Sequence, residues 1–205
     1  MATEAELVSS AVADASEVMD RQAAAVSAHD NDPRRYRVTD LSDFQADAGQ
    51  FFEYGYRDTL RGMIEAIVEI ESPLRADILA QRLARAHGWL RMGGRIRERI
   101  ELHLRDLDRT TESSGEFIWK KGTVSDVVPY RQPVSEDARR SIADIPLAEL
   151  VFVVLDRPDL LDEPDPARDL ARLLGVERLA APSRTRLDEA IARARQQIDD
   201  ARSAV

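Results

Sequence analysis

The chain has 205 residues, of which 43% are hydrophobic and 5% aromatic, so it can bury a core built mainly from Leu, Ile, Val and Ala. It contains no cysteine, which excludes disulfides, thiol nucleophiles and cysteine-based metal sites. The 38 acidic and 29 basic residues give a net charge of -9. That charge argues against indiscriminate nucleic-acid binding but is compatible with a local basic face.

The sequence predicts neither a signal peptide nor a membrane span. The first residues are acidic and lack the basic-then-apolar pattern of a signal peptide. No run of about 18 uninterrupted apolar residues occurs, which is the length that a membrane span requires. We therefore expect a cytoplasmic protein with no membrane partner.

Residues 1–30 are predicted to form an N-terminal amphipathic helix, because 3–28 are rich in Ala and contain neither Gly nor Pro. Its apolar stripe is too thin to stand alone, so we expect it to pack on its own domain or on another chain. Residues 31–57 form a predicted connector that begins at a helix-breaking Asn-Asp-Pro sequence and carries most of the aromatic residues of the N-terminal half.

Residues 58–133 are predicted to form a winged helix-turn-helix domain. Apolar residues recur at three-and-four spacing in three successive segments, which end before Pro73, at Gly88 and near Leu107. Two β-prone runs follow at 116–121 and 124–131, separated by Gly122-Thr123, and the intervening 110–115 is predicted to be a polar loop. Three helices followed directly by a hairpin are typical of a winged helix.

Residues 134–205 are predicted to form a second helical domain. The apolar run at 150–155 suits either a buried helix or a strand, and two helices are predicted at 167–174 and 183–199. Placing 83–104 over 170–191 without a gap aligns Gly88 with Gly175 and several Leu, Ala and Arg residues. We therefore expect a mainly α fold with a small hairpin, in which a wingless helix-turn-helix repeat follows the winged one.

The third helix of a winged helix usually enters the major groove, with the hairpin on the backbone or in the minor groove. Six basic residues are therefore candidate nucleic-acid contacts, four around the third helix and two at the wing: Arg91, Arg95, Arg97, Arg99, Lys120 and Lys121. The alternative is a solvated, salt-bridged helix, because four acidic residues lie close enough in sequence to neutralise these arginines: Glu98, Glu101, Asp106 and Asp108.

Reactive chemistry has no support in the sequence. His29, His87 and His103 are scattered and form no metal-ligand set. The acidic loop at 156–165 contains prolines and lacks the spacing of a calcium loop. No phosphate-binding glycine loop, Ser-His-Asp set or nucleophile elbow is present. We therefore expect no catalytic residues, no metal and no cofactor, and a protein that is not an enzyme.

Several segments resemble a known but uncharacterised domain. In the first half they are Ile67-Val-Glu-Ile-Glu-Ser-Pro-Leu74, Leu79-Ala-Gln-Arg-Leu-Ala-Arg-Ala-His-Gly88, Arg91-Met-Gly-Gly-Arg-Ile-Arg97 and Gly115-Glu-Phe-Ile-Trp119. In the second half they are Ile142-Ala-Asp-Ile-Pro-Leu-Ala-Glu-Leu150 and Leu170-Ala-Arg-Leu-Leu-Gly175. The domain is found at the C-terminal end of large bacterial superfamily-one helicases that also carry a nuclease-like domain. The likeness covers roughly 36–195, with Ser72 standing where the family usually has Gly, and here the domain is expected to act as a stand-alone chain.

The resemblance implies an accessory role beside a DNA-processing machine, and no catalytic residue of the family maps onto this chain. The first hypothesis is a non-catalytic module that binds nucleic acid, possibly as duplex DNA, or docks to a separate helicase or nuclease. The alternative is a protein-interaction or assembly subunit that makes no direct contact with nucleic acid. The sequence leaves the oligomeric state open.

Overall fold

The computed structural model describes residues 32–204, and the residues from Tyr36 onward form one compact unit. The helix predicted at 1–30 lies outside the described residues. Of the first unit, which ends at Arg35, the structure describes 32–35, a turn in which the Arg34 N–H donates to the Asp32 carboxylate (2.9 Å).

Three helices open the compact unit, in the order predicted. They are α1 (Arg57–Glu71), α2 (Ala76–Ala86) and α3 (Gly94–Leu104). Helix α1 ends where Ser72 turns extended (ψ 141°), as the residue before a proline prefers. The three helices pack their apolar faces together, and Leu60, Leu83 and Ile100 are at most 1% exposed. The apolar positions recur with the 3.6-residue period of a helix, so each of the three helices presents one apolar face to this first core.

A three-stranded antiparallel sheet accompanies these helices, with strand order β2–β4–β3. Its strands are β2 (Leu74–Arg75), β3 (Asp108–Glu112) and β4 (Gly115–Trp119). In register, Leu74 lies opposite Ile118 and Arg109 lies opposite the same residue from the other side.

The predicted position of the hairpin was wrong. Residues 110–115, expected to be a loop, contain part of β3 and the turn, while 124–131 is not a strand. Gly115, at φ 134°, supplies the left-handed backbone that closes a two-residue turn at 113–114. Val127 and Tyr130 instead pack on the core of the second group of helices and Val128 on the cluster around Ala148, whose carbonyl accepts from the Val128 N–H (3.3 Å).

Strand β4 lies between two cores because its side chains alternate. Ile118 belongs to the core of the first three helices, whereas Phe117 and Trp119 face the other way and cluster with Ala148. The Trp119 indole N–H donates to Thr110 Oγ1 (2.8 Å), which satisfies its polar atom beneath the surface. Trp119 is therefore a packing residue.

A second group of three helices follows: α4 (Leu147–Asp156), α5 (Pro166–Leu173) and α6 (Ala181–Ser203). The ambiguous run at 150–155 is thus helical. Short 3-10 turns precede and follow α4 at Glu136–Ala138, Ile142–Asp144 and Pro158–Asp162. Leu150, Leu170 and Leu187 are fully buried in its core. No helix within residues 32–204 combines the length and the apolar character of a bilayer span.

The two groups share local geometry at a constant separation of 87 positions. Gly88 follows α2 and Gly175 follows α5, with φ of 78° and 76°. Their N–H groups donate to the backbone carbonyls of Arg85 and Arg172, respectively. The next helices begin at Gly94 and Ala181, again 87 positions apart. The correspondence extends backward to α1 and α4, through buried pairs that the sequence comparison did not include: Leu60 and Leu147, Met63 and Leu150, Ile67 and Val154.

A buried charged cluster joins the two groups. Glu149, on α4, is fully buried and binds the guanidinium groups of Arg131 and Arg140, each at 2.7 Å. Arg131 also donates to the carbonyls of Glu71 and Ser72 at the end of α1 (3.0 and 2.8 Å). Burial raises the pKa of Glu149, but the charges of Arg140 and Arg131 outweigh it, so the pKa lies below its usual range.

The same cluster fixes the start of the compact unit. Tyr36 belongs to strand β1 (Arg35–Tyr36), and its carbonyl accepts from the Val134 N–H (3.0 Å) beside strand β5 (Gln132–Pro133). Its hydroxyl donates to the buried Glu71 carboxylate (2.6 Å), and burial, then the charge of Glu71, raise its pKa. Every charge in this cluster has a partner, as a structural role requires.

Candidate nucleic-acid interface

Helix α3 presents the four arginines predicted as nucleic-acid contacts. Ile100 and Leu104 anchor one face of the helix in the core, so the positions on its other faces, including those in the first turn, lie outside the core. Arg95 and Arg97 in the first turn are exposed, as is Arg91 in the link before the helix, while Arg99 is half-buried. The structure therefore brings Arg91, Arg95, Arg97 and Arg99 to one helix and its leading turn.

None of these four arginines forms an ion pair within residues 32–204. Arg95 lies over the Phe52 ring (5.0 Å to the centroid), and Arg99 donates to the Glu53 carbonyl (2.9 Å). Glu101, one of the four acidic residues expected to neutralise them, pairs instead with Arg109 (2.6 Å). Within residues 32–204, the ion pairs that the salt-bridged alternative requires are therefore not formed by these four arginines.

Lys120 and Lys121 are placed elsewhere. The Lys120 ammonium pairs with Glu69 near the end of α1 (2.7 Å), and its backbone N–H donates to Ser72 Oγ (2.7 Å). Lys121 follows in an exposed turn closed by the Thr123 N–H donating to the Lys120 carbonyl (3.1 Å). The contacts of Lys120 thus lie on α1, and they do not bring it to the α3 arginines.

The tip of the hairpin is occupied by the protein itself. The Glu112 carboxylate pairs with the buried Arg186 of α6 and accepts from the Leu147 N–H (3.0 Å). Ser113 Oγ donates to Glu189 Oε2 (3.0 Å). The tip therefore packs on the second group of helices and is engaged there.

Two arginines that sequence reasoning missed lie on α1 beside α3. Arg57 and Arg61 are exposed, and with Tyr54, Arg99 and His103 they line a cleft of ≈ 540 Å³, hereafter the α1–α3 cleft. Burial lowers the pKa of His103, and the charges of Arg99, Arg57 and Arg61 lower it further. The four-residue spacing of Arg57 and Arg61 was visible in the sequence, but only the packing of α1 on α3 shows that these two arginines share a surface with Arg99.

A second cleft, of ≈ 680 Å³, lies on the other side of α3 between that helix, the start of α2 and β4. Its charged lining is mixed: Arg75, Arg97 and Arg105 face Asp77, Glu98, Glu101 and Glu116. Arg75 is already paired with Asp77 and with Asp144. The α1–α3 cleft has three arginines against two carboxylates, Glu65 and Asp106, so of the two clefts it is the one with a surplus of positive charge.

The histidines of the described region have packing and electrostatic roles. His87 is buried, with Nε2 against the Tyr56 hydroxyl (2.8 Å) and Nδ1 against the Leu83 carbonyl (2.7 Å). Its ring stacks on Trp89 (5.3 Å between centroids). Between residues 32 and 204, no group of three or more His, Asp and Glu residues is placed to hold a metal ion.

Comparison with known proteins gives one partial match. The model of a family described as a protein of unknown function, DUF3320, matches residues 49–98, which run from the segment before α1 into the first turn of α3. No curated protein and no solved structure matches the chain.

Proposed function

We propose that this chain is a non-catalytic accessory module that binds duplex nucleic acid through α3 and works beside a separate helicase or nuclease. The order α1, β2, α2, α3, β3, β4 and the sheet order β2–β4–β3 support a winged-helix arrangement for residues 57–119. In that arrangement α3 is the helix that enters the major groove. The role beside a helicase or nuclease rests on the family resemblance alone.

The observation that carries the proposal is the lack of any carboxylate partner for the four α3 arginines in the described part of the chain. Elsewhere in that part, some arginines, such as Arg140 and Arg186, are ion-paired and buried, while others, such as Arg168 and Arg178, are exposed without an ion pair. The arginines of α3 differ from the latter in lying together on one helix and its leading turn. An exposed guanidinium that the protein leaves unpaired is free to bind a phosphate or a guanine edge with its planar fork.

Because the hairpin tip already contacts α6, the proposed interface with the duplex is smaller than that of a usual winged helix, in which the hairpin also contacts the nucleic acid. Because Glu112 and Ser113 are held by α6, the tip is not free to follow the backbone of a duplex. Lys120 is likewise neutralised by Glu69. We therefore assign the duplex contact to α3 and its leading turn, with Arg91, Arg95 and Arg97 at its centre.

The test is the affinity of a blunt DNA duplex at about 50 mM salt, where phosphate contacts are strong. The double variant Arg95→Glu/Arg97→Glu is expected to weaken binding at least about tenfold, since a base-contacting arginine contributes about 1–3 kcal/mol. Fluorescence anisotropy with a labelled duplex measures the change.

A matched control is Arg168→Glu/Arg178→Glu. Both residues are exposed, neither has an ion-pair partner within the described range, and Arg178 is the repeat counterpart of Arg91. This control changes the net charge by the same amount at the second group of helices, so it should retain most of the affinity. Equal losses in the two double variants, or no loss in the first, would contradict the proposal.

One observation favours the second candidate function, a protein-interaction or assembly subunit. Leu90 is fully exposed in the link before α3, and Leu102 is 53% exposed on α3 itself. A partner protein that contacts α3 and the link before it would bury both side chains. On this hypothesis, deleting residues 1–30 should abolish co-purification with a partner and leave the remaining domain folded, whereas retained co-purification would contradict it.

A further inference from the structure

The α1–α3 cleft combines exposed aromatic surface with unpaired positive charge. All eleven aromatic residues of the chain lie within 32–204, and only Phe52 and Tyr54 are exposed, at 41% and 84%. Tyr54 lines the cleft directly, and Phe52 lies beneath Arg95. In a chain with so few aromatic residues, placing both exposed rings beside the cationic helix is a feature that core packing does not explain.

The charges in the cleft are arranged to receive an anion. Arg57 and Arg61 have no ion-pair partner within residues 32–204, although Glu65 and Asp106 also line the cleft. Three guanidinium groups, those of Arg57, Arg61 and Arg99, act on the same imidazole, that of His103. The three guanidinium groups line the same cleft, so their charges act together on a group that enters it.

The second group of helices shows what the corresponding arginine binds. Arg186 stands at the repeat position of Arg99, and its guanidinium donates to the carbonyls of Ile142 (3.1 Å) and Ile145 (2.6 Å) and pairs with the Glu112 carboxylate. Arg99 also donates to a backbone carbonyl, that of Glu53, although this residue is not the repeat counterpart of Ile142 or Ile145, and Arg99 has no carboxylate partner within residues 32–204. Its Nε is buried and unpartnered in the described structure. The site on α3 thus lacks the oxyanion that its counterpart holds.

We infer that the α1–α3 cleft binds an unpaired nucleotide that flanks the duplex held by α3, with its base on Tyr54 and its phosphate against Arg57 and Arg61. This inference rests on the proposed function and adds a second element to the same ligand. Inside a duplex both faces of every base are covered by the neighbouring pairs, so an aromatic ring beside the duplex stacks on a base outside it. The ligand is therefore a junction between double-stranded and single-stranded nucleic acid.

The experiment compares three labelled DNA probes at about 50 mM salt: a blunt duplex, and the same duplex with five unpaired nucleotides at the 3′ or the 5′ end. The readout is the ratio of the affinity for each tailed duplex to that for the blunt one. The full chain should bind one of the tailed duplexes roughly 5- to 150-fold more tightly, the range for one base stacked on an aromatic ring.

Variants of Tyr54 and of the arginines in the cleft test whether the preference for a tailed duplex arises there. Tyr54→Ala should bring the ratio close to one, and Tyr54→Phe should keep it, because phenylalanine preserves the stacking face. Arg57→Gln/Arg61→Gln should also lower the ratio, whereas Arg168→Gln/Arg178→Gln should not. Circular dichroism of each variant checks that the fold is intact.

The outcomes separate the two proposals. A wild-type ratio near one, or a ratio that survives in Tyr54→Ala, overturns the inference while leaving duplex binding intact. Tyr54-dependent binding of the tailed probes without any binding of the blunt duplex would overturn the proposed duplex contact, and with it the inference that the nucleotide flanks a duplex held by α3. If none of the three probes binds, both proposals are wrong.

Discussion

Glu149 is the residue on which the join between the two groups of helices depends most directly. Its carboxylate neutralises both Arg131 and Arg140, and all three side chains are at most 9% exposed. A buried ion pair adds little net stability over a well-packed apolar replacement, but the loss of one partner leaves a buried charge without compensation. The cluster is therefore sensitive to single substitutions.

Glu149→Gln is expected to lower the free energy of unfolding by about 3–5 kcal/mol, because two buried guanidinium groups lose their counter-charge. The folded-state pKa of Glu149 lies below its usual range, so its stabilisation is complete above the unfolded pKa and is lost as the pH falls through the folded pKa. The difference between wild type and variant should thus shrink in strong acid. Urea denaturation at several pH values measures it.

The control for this substitution is Glu136→Gln. Glu136 pairs with Arg139 on the surface, where the two side chains are 79% and 65% exposed. A pair of that kind contributes about 0–1 kcal/mol. If Glu149→Gln were no more destabilising than this control, the buried cluster would not hold the two groups together.

At the level of single residues, the sequence predicted only part of the candidate site. The sequence identified four arginines because they lie close together, in or just before the predicted third helix: Arg91, Arg95, Arg97 and Arg99. Tyr54 was not, because exposure depends on which of the neighbouring aromatic residues the core absorbs: Phe51 and Tyr56 are buried, on either side of it. Spacing along the chain does not distinguish these alternatives.

Among the elements, the two glycine-ended helices offer the most direct test of the internal repeat. Gly88 and Gly175 both adopt a positive φ, and a Cβ added at either would meet no atom within 4 Å. Any cost of substitution is therefore a backbone cost, which for an L residue in this region is about 1–2 kcal/mol. Gly93 also has open space around it, but its φ is -76°.

Gly88→Ala and Gly175→Ala are expected to lower the free energy of unfolding by similar amounts, about 1–2 kcal/mol each, because the same left-handed residue ends α2 and α5. Gly93→Ala serves as the control and should be close to neutral, because alanine is a poorer N-cap of α3 than glycine but reduces the entropy of the unfolded chain. Thermal and urea unfolding of the three variants give the comparison. A large cost at one glycine and none at the other would show that the two helix ends are not equivalent.

Element types were easier to predict from the sequence than strand positions. The helices were recovered because their apolar residues repeat with a strong period. The hairpin was misplaced because 124–131 is as rich in β-branched residues as a strand, yet its apolar groups pack on the second core. Residues 108–112 read as polar, and they pair as β3 because β4 offers them a partner.

For the molecule as a whole, we proposed that the first group of helices binds nucleic acid and the second does not. This difference follows from which arginines have ion-pair partners. In the second group of helices, Arg184 pairs with Asp165 (2.8 Å) and the buried Arg186 with Glu112. In the first group, the arginines at the matching positions, Arg97 and Arg99, have no such partners in the part of the chain described. The sequence alignment of the two copies showed these arginines as equivalent, and only the structure separates their surroundings. The predicted boundary between domains at 133 and 134 stays a prediction.

Backbone amide mapping of the full chain by NMR, with and without a blunt DNA duplex, tests the central claim most directly. The account predicts that the largest shifts fall at residues 91–99, and that residues 166–191 change little. Shifts concentrated in the second group of helices, or an unchanged spectrum at saturating duplex, would contradict nucleic-acid binding by α3.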